Sequence, residues 1–162
     1  MENIKLFTCL IVILLVFKTD LIFAQNEMEG VKVTDAGTFS GNLNGEEFSN
    51  MIRYSEAEDL VTIATGDESF TLTINCEGIS SLSEIKTSTY KLPGSKEVTV
   101  IFLDNTLGMP SMVTSGNFTV TENDGKVVKG TIEFTASTGG IPKEMGGTET
   151  KLSDGSFVIT KK

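Results

Sequence analysis

The sequence contains no histidine and no tryptophan, and it has two cysteines and three prolines in 162 residues. Histidine is the commonest general base and a frequent metal ligand, so its absence removes most acid-base and nucleophilic arrangements. G-x-S-x-G, P-loop, dinucleotide-binding and H-E-x-x-H patterns are absent as well. Carboxylate pairs remain, but they fall in turn-like segments where carboxylates are ordinarily solvated. We therefore expect no catalytic residue, no cofactor site and no enzymatic activity.

Cysteine usage excludes an internal disulfide in the exported chain. Cys9 lies inside the N-terminal apolar run, and Cys76 is then left without a partner. A nucleophilic cysteine needs a base nearby, and the sequence supplies no histidine for that role. Cys76 is therefore predicted to be a small buried apolar side chain.

The first 24 residues resemble a secretory signal peptide. Lys5 precedes an apolar run over residues 6–17, and a small residue, Ala24, precedes Gln25. The run is shorter than the about 20 apolar residues that a membrane-spanning helix needs. We expect residues 1–24 to be cleaved and the protein to be secreted or periplasmic, without stable membrane insertion. An uncleaved anchor is the alternative.

Residues 25–162 are long enough for one hydrophobic core and are predicted to form a single all-β domain. The formal net charge of the full sequence is −9, and residues 1–24 contribute two basic and two acidic residues to it. The only arginine is Arg53, and the lysines are scattered. Nucleic acids are bound through clustered basic side chains, so we expect no nucleic-acid partner.

The clearest strand pattern is the alternation of apolar and polar residues over residues 117–136, which predicts an antiparallel hairpin. Residues that face each other across the hairpin must point to the same side of the sheet. A three-residue loop at positions 123–125 satisfies that rule. The expected opposite pairs are Val120 with Val128, Thr119 with Lys129, and Phe118 with Gly130.

Two further hairpins are predicted by the same rule. Asn44-Gly45 indicates a two-residue turn that sets Gly41 opposite Phe48. Gly66-Asp67 indicates a second two-residue turn. For that hairpin the expected opposite pairs are Ile63 with Phe70, Val61 with Leu72, and Thr62 with Thr71.

About nine or ten short strands separated by turn signals predict an antiparallel up-and-down meander. The meander forms either a closed or partly closed barrel of lipocalin-like shape or a β-sandwich. Residues 98–103, VTVIFL, are apolar on both faces. They predict either a central strand covered on both sides or a place where the domain contacts another molecule.

Oxygen-rich loops offer a weak calcium candidate. Glu56, Glu58 and Asp59 could supply the carboxylate ligands that calcium takes. The spacing of a dedicated calcium loop is absent, so ordinary surface charge is the competing interpretation, and no metal site is assigned.

Two long loops contain the other candidate residues. Met109, Met112, Ile141, Pro142 and Met145 could line or cover the mouth of a barrel that binds a small apolar ligand. Small barrels are usually filled by their own side chains, and that filled core is the alternative interpretation.

The segments GNLNGEEFS near the N-terminus, FTVTENDGKVVKGTIEFTA in the second half and LSDGSFVI near the end resemble secreted or lipid-anchored bacterial all-β domains of unknown function. The resemblance covers most of residues 25–162 and rests on turn and strand signals. It implies an exported all-β fold and carries no functional residues. Lipid-anchored members have a cysteine at the cleavage point, and this chain has Gln25 there.

Three functions follow from these observations as hypotheses. The first is an exported, non-enzymatic β domain of binding or structural type, which predicts an exposed apolar patch near residues 98–103. The second is a carrier of a small apolar ligand. The third is a carboxylate-based hydrolase, which predicts two acidic side chains converging in a cleft, at least one with a raised pKa.

Overall fold

The computed structural model describes residues 32–141 and 143–161 of the chain. The predicted signal peptide, residues 1–24, and the mouth candidate Pro142 lie outside the described residues. No helix in the described part of the chain is long and apolar enough to cross a membrane.

The described residues form an all-β fold with 69 % of residues in strands, as the sequence predicts. Two single 3-10 turns occur, at Leu82–Glu84 and Lys143–Met145, and these residues contain no α-helix. The nine strands are β1 (Lys32–Leu43), β2 (Glu46–Ala57), β3 (Leu60–Gly66), β4 (Phe70–Glu77), β5 (Thr89–Leu92), β6 (Val98–Asp104), β7 (Met109–Asn123), β8 (Val127–Thr138) and β9 (Glu149–Thr160).

Eight of the strands close into an antiparallel barrel, and β5 is the extra strand. The meander runs through β1, β2, β3, β4, β6, β7, β8 and β9, and β1 pairs with β9 to complete the circle. The sequence left the choice between barrel and sandwich open, and the structure is a barrel. Closure matters because it removes the exposed sheet edges that promote aggregation.

The predicted hairpin with its turn at Asn44-Gly45 is confirmed. Asn44 and Gly45 form the turn with φ of 54° and 95°, which is the left-handed backbone that a type I′ turn requires at both positions. Gly41 lies opposite Phe48, and a methyl group built on Gly41 would lie 3.3 Å from the tip of that ring. The aromatic ring therefore covers the backbone of a glycine that has no side chain to pack.

The predicted register of the hairpin formed by β7 and β8 is wrong. Phe118 lies opposite Ile132, and Gly130 lies opposite Val120 on one side and Phe157 on the other. A bulge between Val120 and Glu122 adds a residue to β7 and moves the pairing. The turn is stabilised by Asp124, whose side chain accepts hydrogen bonds from the backbone N–H groups of Lys126 and Val127 at 2.8 and 2.7 Å.

The predicted register between β3 and β4 is also wrong. Ile63 lies opposite Ile74, and Gly66 lies opposite Thr71, so the connection is longer than two residues. Asp67 explains the difference because its carboxylate accepts hydrogen bonds from the backbone N–H groups of Ser69 and Phe70. The side chain thus stabilises a wider loop than glycine geometry alone predicts.

Aromatic side chains fill the interior of the barrel. One continuous row of rings, with neighbouring centroids 5.0–5.9 Å apart, crosses it from β1 to β8. The row consists of Phe39, Phe48, Phe70, Phe102 and Phe134. A second group stacks Phe118 on Phe157 at 5.3 Å and brings Tyr90 to 6.0 Å from Phe118. Rings at these separations give the barrel a packed core.

The connection between β4 and β5, residues 78–88, closes one end of the barrel, and we call it the plug. Leu82 and Ile85 from the plug are buried in the core. The Asn123 side-chain amide donates to the carbonyl oxygens of Leu82 and Ile85 at 2.9 and 2.7 Å. The plug is therefore fixed to the barrel by both apolar burial and side-chain hydrogen bonds.

Candidate functional site

A cleft opens in the barrel wall where β7 changes its neighbour. Along its first part β7 pairs with β6, from Asp104 opposite Met109 to Ile101 opposite Met112. Further along, β7 pairs with the extra strand β5, beginning at Leu92 opposite Gly116. The replacement of one partner strand by another leaves a cleft of about 300 Å³ between β6, β7 and the β5–β6 turn.

The cleft is lined entirely by uncharged residues. Buried Leu92 and Val98 contribute to the lining, together with partly buried Val100 and Val113 from the facing strands. Ligand sites are typically concave and mostly apolar with a few polar groups. This cleft has that composition in a chain whose net charge is −9.

The outer face of the β6–β7 hairpin continues the cleft as an apolar surface, which we call the hairpin patch. It consists of Ile101, Leu103, Pro110 and Met112, which form two facing pairs across the hairpin. Pro110 and Met112 are exposed, and Ile101 and Leu103 are half-buried. Outward positions of an antiparallel sheet that faces water are ordinarily polar, so a contiguous apolar patch is a departure from that pattern.

The structure brings three of the predicted mouth residues to one turn. A methyl group built on Gly140 would lie 2.7 Å from the sulfur of Met112. One built on Gly139 would lie 3.8 Å from Cε of Met109 and 4.0 Å from the Ile141 side chain. The backbone N–H of Gly139 donates to the carbonyl oxygen of Pro110 at 3.2 Å, which fastens the β8–β9 connection to the start of β7.

Met145, the fourth mouth residue, lies in the same connection, in the 3-10 turn Lys143–Met145. All four side chains are close to half exposed or more, and Met145 reaches 79 %. They therefore lie on the surface, with Met109 and Met112 near the start of β7, and of the four only Met112 also lines the cleft.

The three weak calcium candidates have different surroundings in the structure. The Glu56 carboxylate accepts hydrogen bonds from the hydroxyl of Ser81 at 2.9 Å and the N–H of Leu82 at 2.8 Å, and it lies 3.1 Å from Nζ of Lys161. Glu58 and Asp59 are exposed at the β2–β3 turn. Within residues 32–141 and 143–161, no group of three or more acidic, histidine or cysteine residues is placed to hold a metal ion.

Glu56 therefore holds the plug, and the pKa of its carboxyl group reflects these contacts. Burial alone would raise the pKa of Glu56, but the hydrogen bonds from Leu82, Ser81 and Lys161 and the charge of Lys161 outweigh it. The pKa of Glu56 consequently lies below its ordinary value of 4.5. A carboxylate with a depressed folded-state pKa stabilises the fold above its unfolded-state pKa and loses that effect in acid.

Replacing Glu56 by glutamine should lower the free energy of unfolding at neutral pH, with a difference that shrinks as the pH falls below 4.5. Protonated glutamate and glutamine are both neutral, so the two proteins become alike in acid. Urea denaturation midpoints measured between about pH 7 and about pH 3 check this. Glu47→Gln, at an exposed position of β2, is the control and should change stability by less than about 0.5 kcal/mol. A pH-independent difference for Glu56→Gln would contradict the role.

Among the described residues, the other titratable groups with shifted pKa values lie in turns, in the core or, for Tyr90, on β5, where burial raises the pKa of the phenol. Burial opposes ionisation of Asp67, but hydrogen bonds from Ser69, Asn50 and Phe70 hold the pKa of its carboxyl below the ordinary value. Backbone N–H groups of Val127 and Lys126 lower the pKa of Asp124. Burial raises the pKa of Cys76 to about 12, and the thiol is buried as predicted.

Sequence reasoning identified the methionines and residues 98–103 but not the cleft. Leu92, Val113 and the β5–β6 turn line the cleft only because β5 leaves the meander and pairs with β7. That pairing is set by contacts distant in sequence. A usable signal was the two-faced apolar pattern of β6, whose outer face forms half of the hairpin patch.

No protein family model, curated protein or solved structure matches this chain.

Proposed function

We propose that this chain is an exported, non-enzymatic binding module that docks a protein partner on the hairpin patch and the adjoining cleft. The observation that carries the proposal is the continuity of the two apolar surfaces. Ile101 and Met112 belong to both the patch and the lining of the cleft. A partner can therefore cover the patch and insert an apolar side chain into the cleft. Interface hot spots typically have this arrangement of an anchoring side chain in a pocket.

The charge distribution defines the partner further. The docking surface itself is uncharged, whereas the chain as a whole carries −9. A partner with an apolar contact area surrounded by basic side chains complements both features. Complementary charge accelerates encounter and orients the partner, while the apolar contact supplies the affinity.

The titratable groups support a non-enzymatic role. Among the described residues, three carboxyl groups have shifted pKa values, and all three, Glu56, Asp67 and Asp124, are more acidic than usual. Each is engaged by hydrogen bonds that fix the plug or a turn. A carboxylate-based hydrolase needs a carboxyl group whose pKa is raised.

Site-specific photo-crosslinking in the native host tests the docking surface. A photoreactive residue at Met112 should yield a crosslinked adduct of discrete mass, because this side chain lies at the junction of patch and cleft. The same residue at Met51 is the matched control, since Met51 is also an exposed methionine but lies on β2. Mass spectrometry of both products identifies what is attached.

An adduct at position 112 that is absent at position 51 supports the proposal when the attached mass is one protein. Equal labelling at the two positions, or no protein adduct at position 112, contradicts it. An attached small molecule at position 112 instead supports a carrier that uses the cleft, whose volume is at the lower end of the range for ligand pockets.

A further inference from the structure

The cleft beside β7 is larger than one aliphatic side chain needs. Its volume is about 300 Å³, whereas an apolar cavity of about 150 Å³ holds a benzene molecule. A leucine or valine side chain from a partner would leave part of this space empty, and the walls would lose contacts there. We infer that the protein partner anchors itself in the cleft with a tryptophan side chain. This inference rests on the docking function proposed above and names the group that the cleft receives.

The lining of the cleft disfavours a charged anchor. Tryptophan, tyrosine and arginine are the side chains that most often dominate the binding energy of an interface. All twelve residues that line the cleft are uncharged. A buried arginine would therefore leave water without a carboxylate to pair with, which is strongly unfavourable. The aromatic side chains remain, and tryptophan has the largest ring system among them.

One buried hydroxyl group gives the cleft a hydrogen-bond acceptor. Ser111 lines the cleft and is only 4 % exposed. Its Oγ lies 3.4 Å from Oγ1 of Thr138, which is longer than the roughly 2.5–3.0 Å of an ordinary bond between hydroxyl groups. The Ser111 hydroxyl therefore has capacity to accept another hydrogen bond. The indole N–H of tryptophan is a donor that needs an acceptor when the ring is buried, and phenylalanine has no such donor.

The wall formed by the β5–β6 turn is held in place by hydrogen bonds. Oγ of Ser95 accepts from the backbone N–H groups of Glu97 and Val98 at 3.1 and 3.0 Å. The backbone N–H of Ser95 donates to the carbonyl oxygen of Lys91 at 3.1 Å. A fixed wall needs little ordering when a partner binds, whereas the flexible Met112 side chain can adapt its shape to a ring.

The anchor comes from a different protein. The sequence contains no tryptophan, so a second copy of this chain cannot supply the side chain. Ile101 and Met112 join the cleft to the hairpin patch. The ring can therefore enter the cleft while the partner's backbone remains over the patch. The expected partner surface carries an exposed tryptophan surrounded by apolar contact area.

N-acetyl-tryptophanamide is the probe, because it presents the indole ring on a minimal uncharged backbone. In an NMR titration of the purified protein, the methyl resonances of Val98 and Val113 in the cleft should shift. Those of Val158, an exposed valine on β9, should not shift. N-acetyl-leucinamide should bind about tenfold more weakly, since its smaller side chain buries less apolar surface.

Ser111→Ala tests the hydrogen bond to the indole. This variant should weaken the binding of N-acetyl-tryptophanamide by about fivefold, the usual effect of losing one hydrogen bond. It should leave the binding of N-acetyl-phenylalaninamide unchanged, because that ring has no N–H to donate. Ser156→Ala, at an exposed position of β9, is the matched control and should change neither affinity. Circular dichroism verifies the fold of both variants.

The tryptophan anchor is overturned if the tryptophan amide causes no shift in the cleft or if the leucine amide binds equally well. An equal loss for both aromatic amides in Ser111→Ala would also overturn it. The comparison of amides uses the unaltered protein, so it decides the question even if Ser111→Ala does not fold. Photo-crosslinking at Met112 is a separate measurement. A protein adduct there without amide binding supports docking and refutes the anchor, whereas amide binding without any protein adduct refutes the docking function and the anchor with it.

Discussion

Gly130→Val is expected to destabilise the barrel by about 3 kcal/mol, the upper part of the usual range for inserting atoms into a packed site. Gly130 is buried between two neighbouring strands. A β-carbon at this position would meet the carbonyl oxygen of Thr119 on β7 and the ring of Phe157 on β9. The oxygen belongs to the backbone and cannot move without disturbing the β7–β8 pairing. The valine side chain is therefore expected to destabilise the protein through steric overlap with these two groups.

Urea denaturation followed by circular dichroism measures this effect. Thr131→Val is the matched control, because it places the same residue one position along β8 on the exposed face and should change stability by less than about 0.5 kcal/mol. Phe157→Leu, made together with Gly130→Val, should recover part of the Gly130→Val loss if the ring is one of the two obstacles. Equal unfolding midpoints for Gly130→Val and the wild type would contradict the packing described for this glycine.

The hairpins show which features of strand pairing can be predicted from the sequence. Asn44-Gly45 was predicted correctly because both residues of a type I′ turn need left-handed backbone, and that preference is local. The β7–β8 prediction failed although the faces were right, since Val120 and Val128 are both buried. The bulge between Val120 and Glu122 leaves the alternation up to Val120 intact while it moves the partners. Alternation therefore predicts which side a residue faces, and bulges decide what it faces.

Side-chain capping explains the other wrong register. At the β3–β4 connection the Asp67 carboxylate accepts hydrogen bonds from the N–H groups of Ser69 and Phe70. Gly66-Asp67 has the composition of a tight turn, yet the aspartate stabilises a longer loop. Both arrangements keep Val61 and Ile63 facing inward. A rule based on faces alone could not separate the two.

Closure of the barrel could not be predicted from local sequence patterns, because it depends on the pairing of strands from opposite ends of the described chain. Phe39 on β1 lies opposite Phe157 on β9, and this pairing completes the sheet. The candidate site has the same origin. Its methionines are visible in the sequence, but the cleft exists only because β5 replaces β6 beside β7. The sequence could therefore suggest which residues form the hairpin patch but not the cleft beside it.

Leu82→Ala is expected to destabilise the protein by about 2–5 kcal/mol, the range for removing a large buried aliphatic side chain. Leu82 is only 1 % exposed. This side chain of the plug is buried in the core where the plug closes one end of the barrel. The two hydrogen bonds from Asn123 to the carbonyl oxygens of Leu82 and Ile85 hold the backbone in place. The plug is therefore restrained from collapsing into the space that the smaller side chain leaves, which places the cost toward the upper part of this range.

Urea denaturation again provides the measurement, with Thr87→Ala as the matched control because Thr87 is an exposed residue of the same plug. The control should change stability by less than about 0.5 kcal/mol. An unfolding midpoint for Leu82→Ala within that margin would mean that the barrel is stable without the leucine. A large loss would instead establish that an irregular connection, whose sequence has no strand alternation, is a structural part of the core. In that case the hairpin patch lies on a barrel whose other end is filled by the plug, which Glu56, Asn123 and Lys161 fasten there.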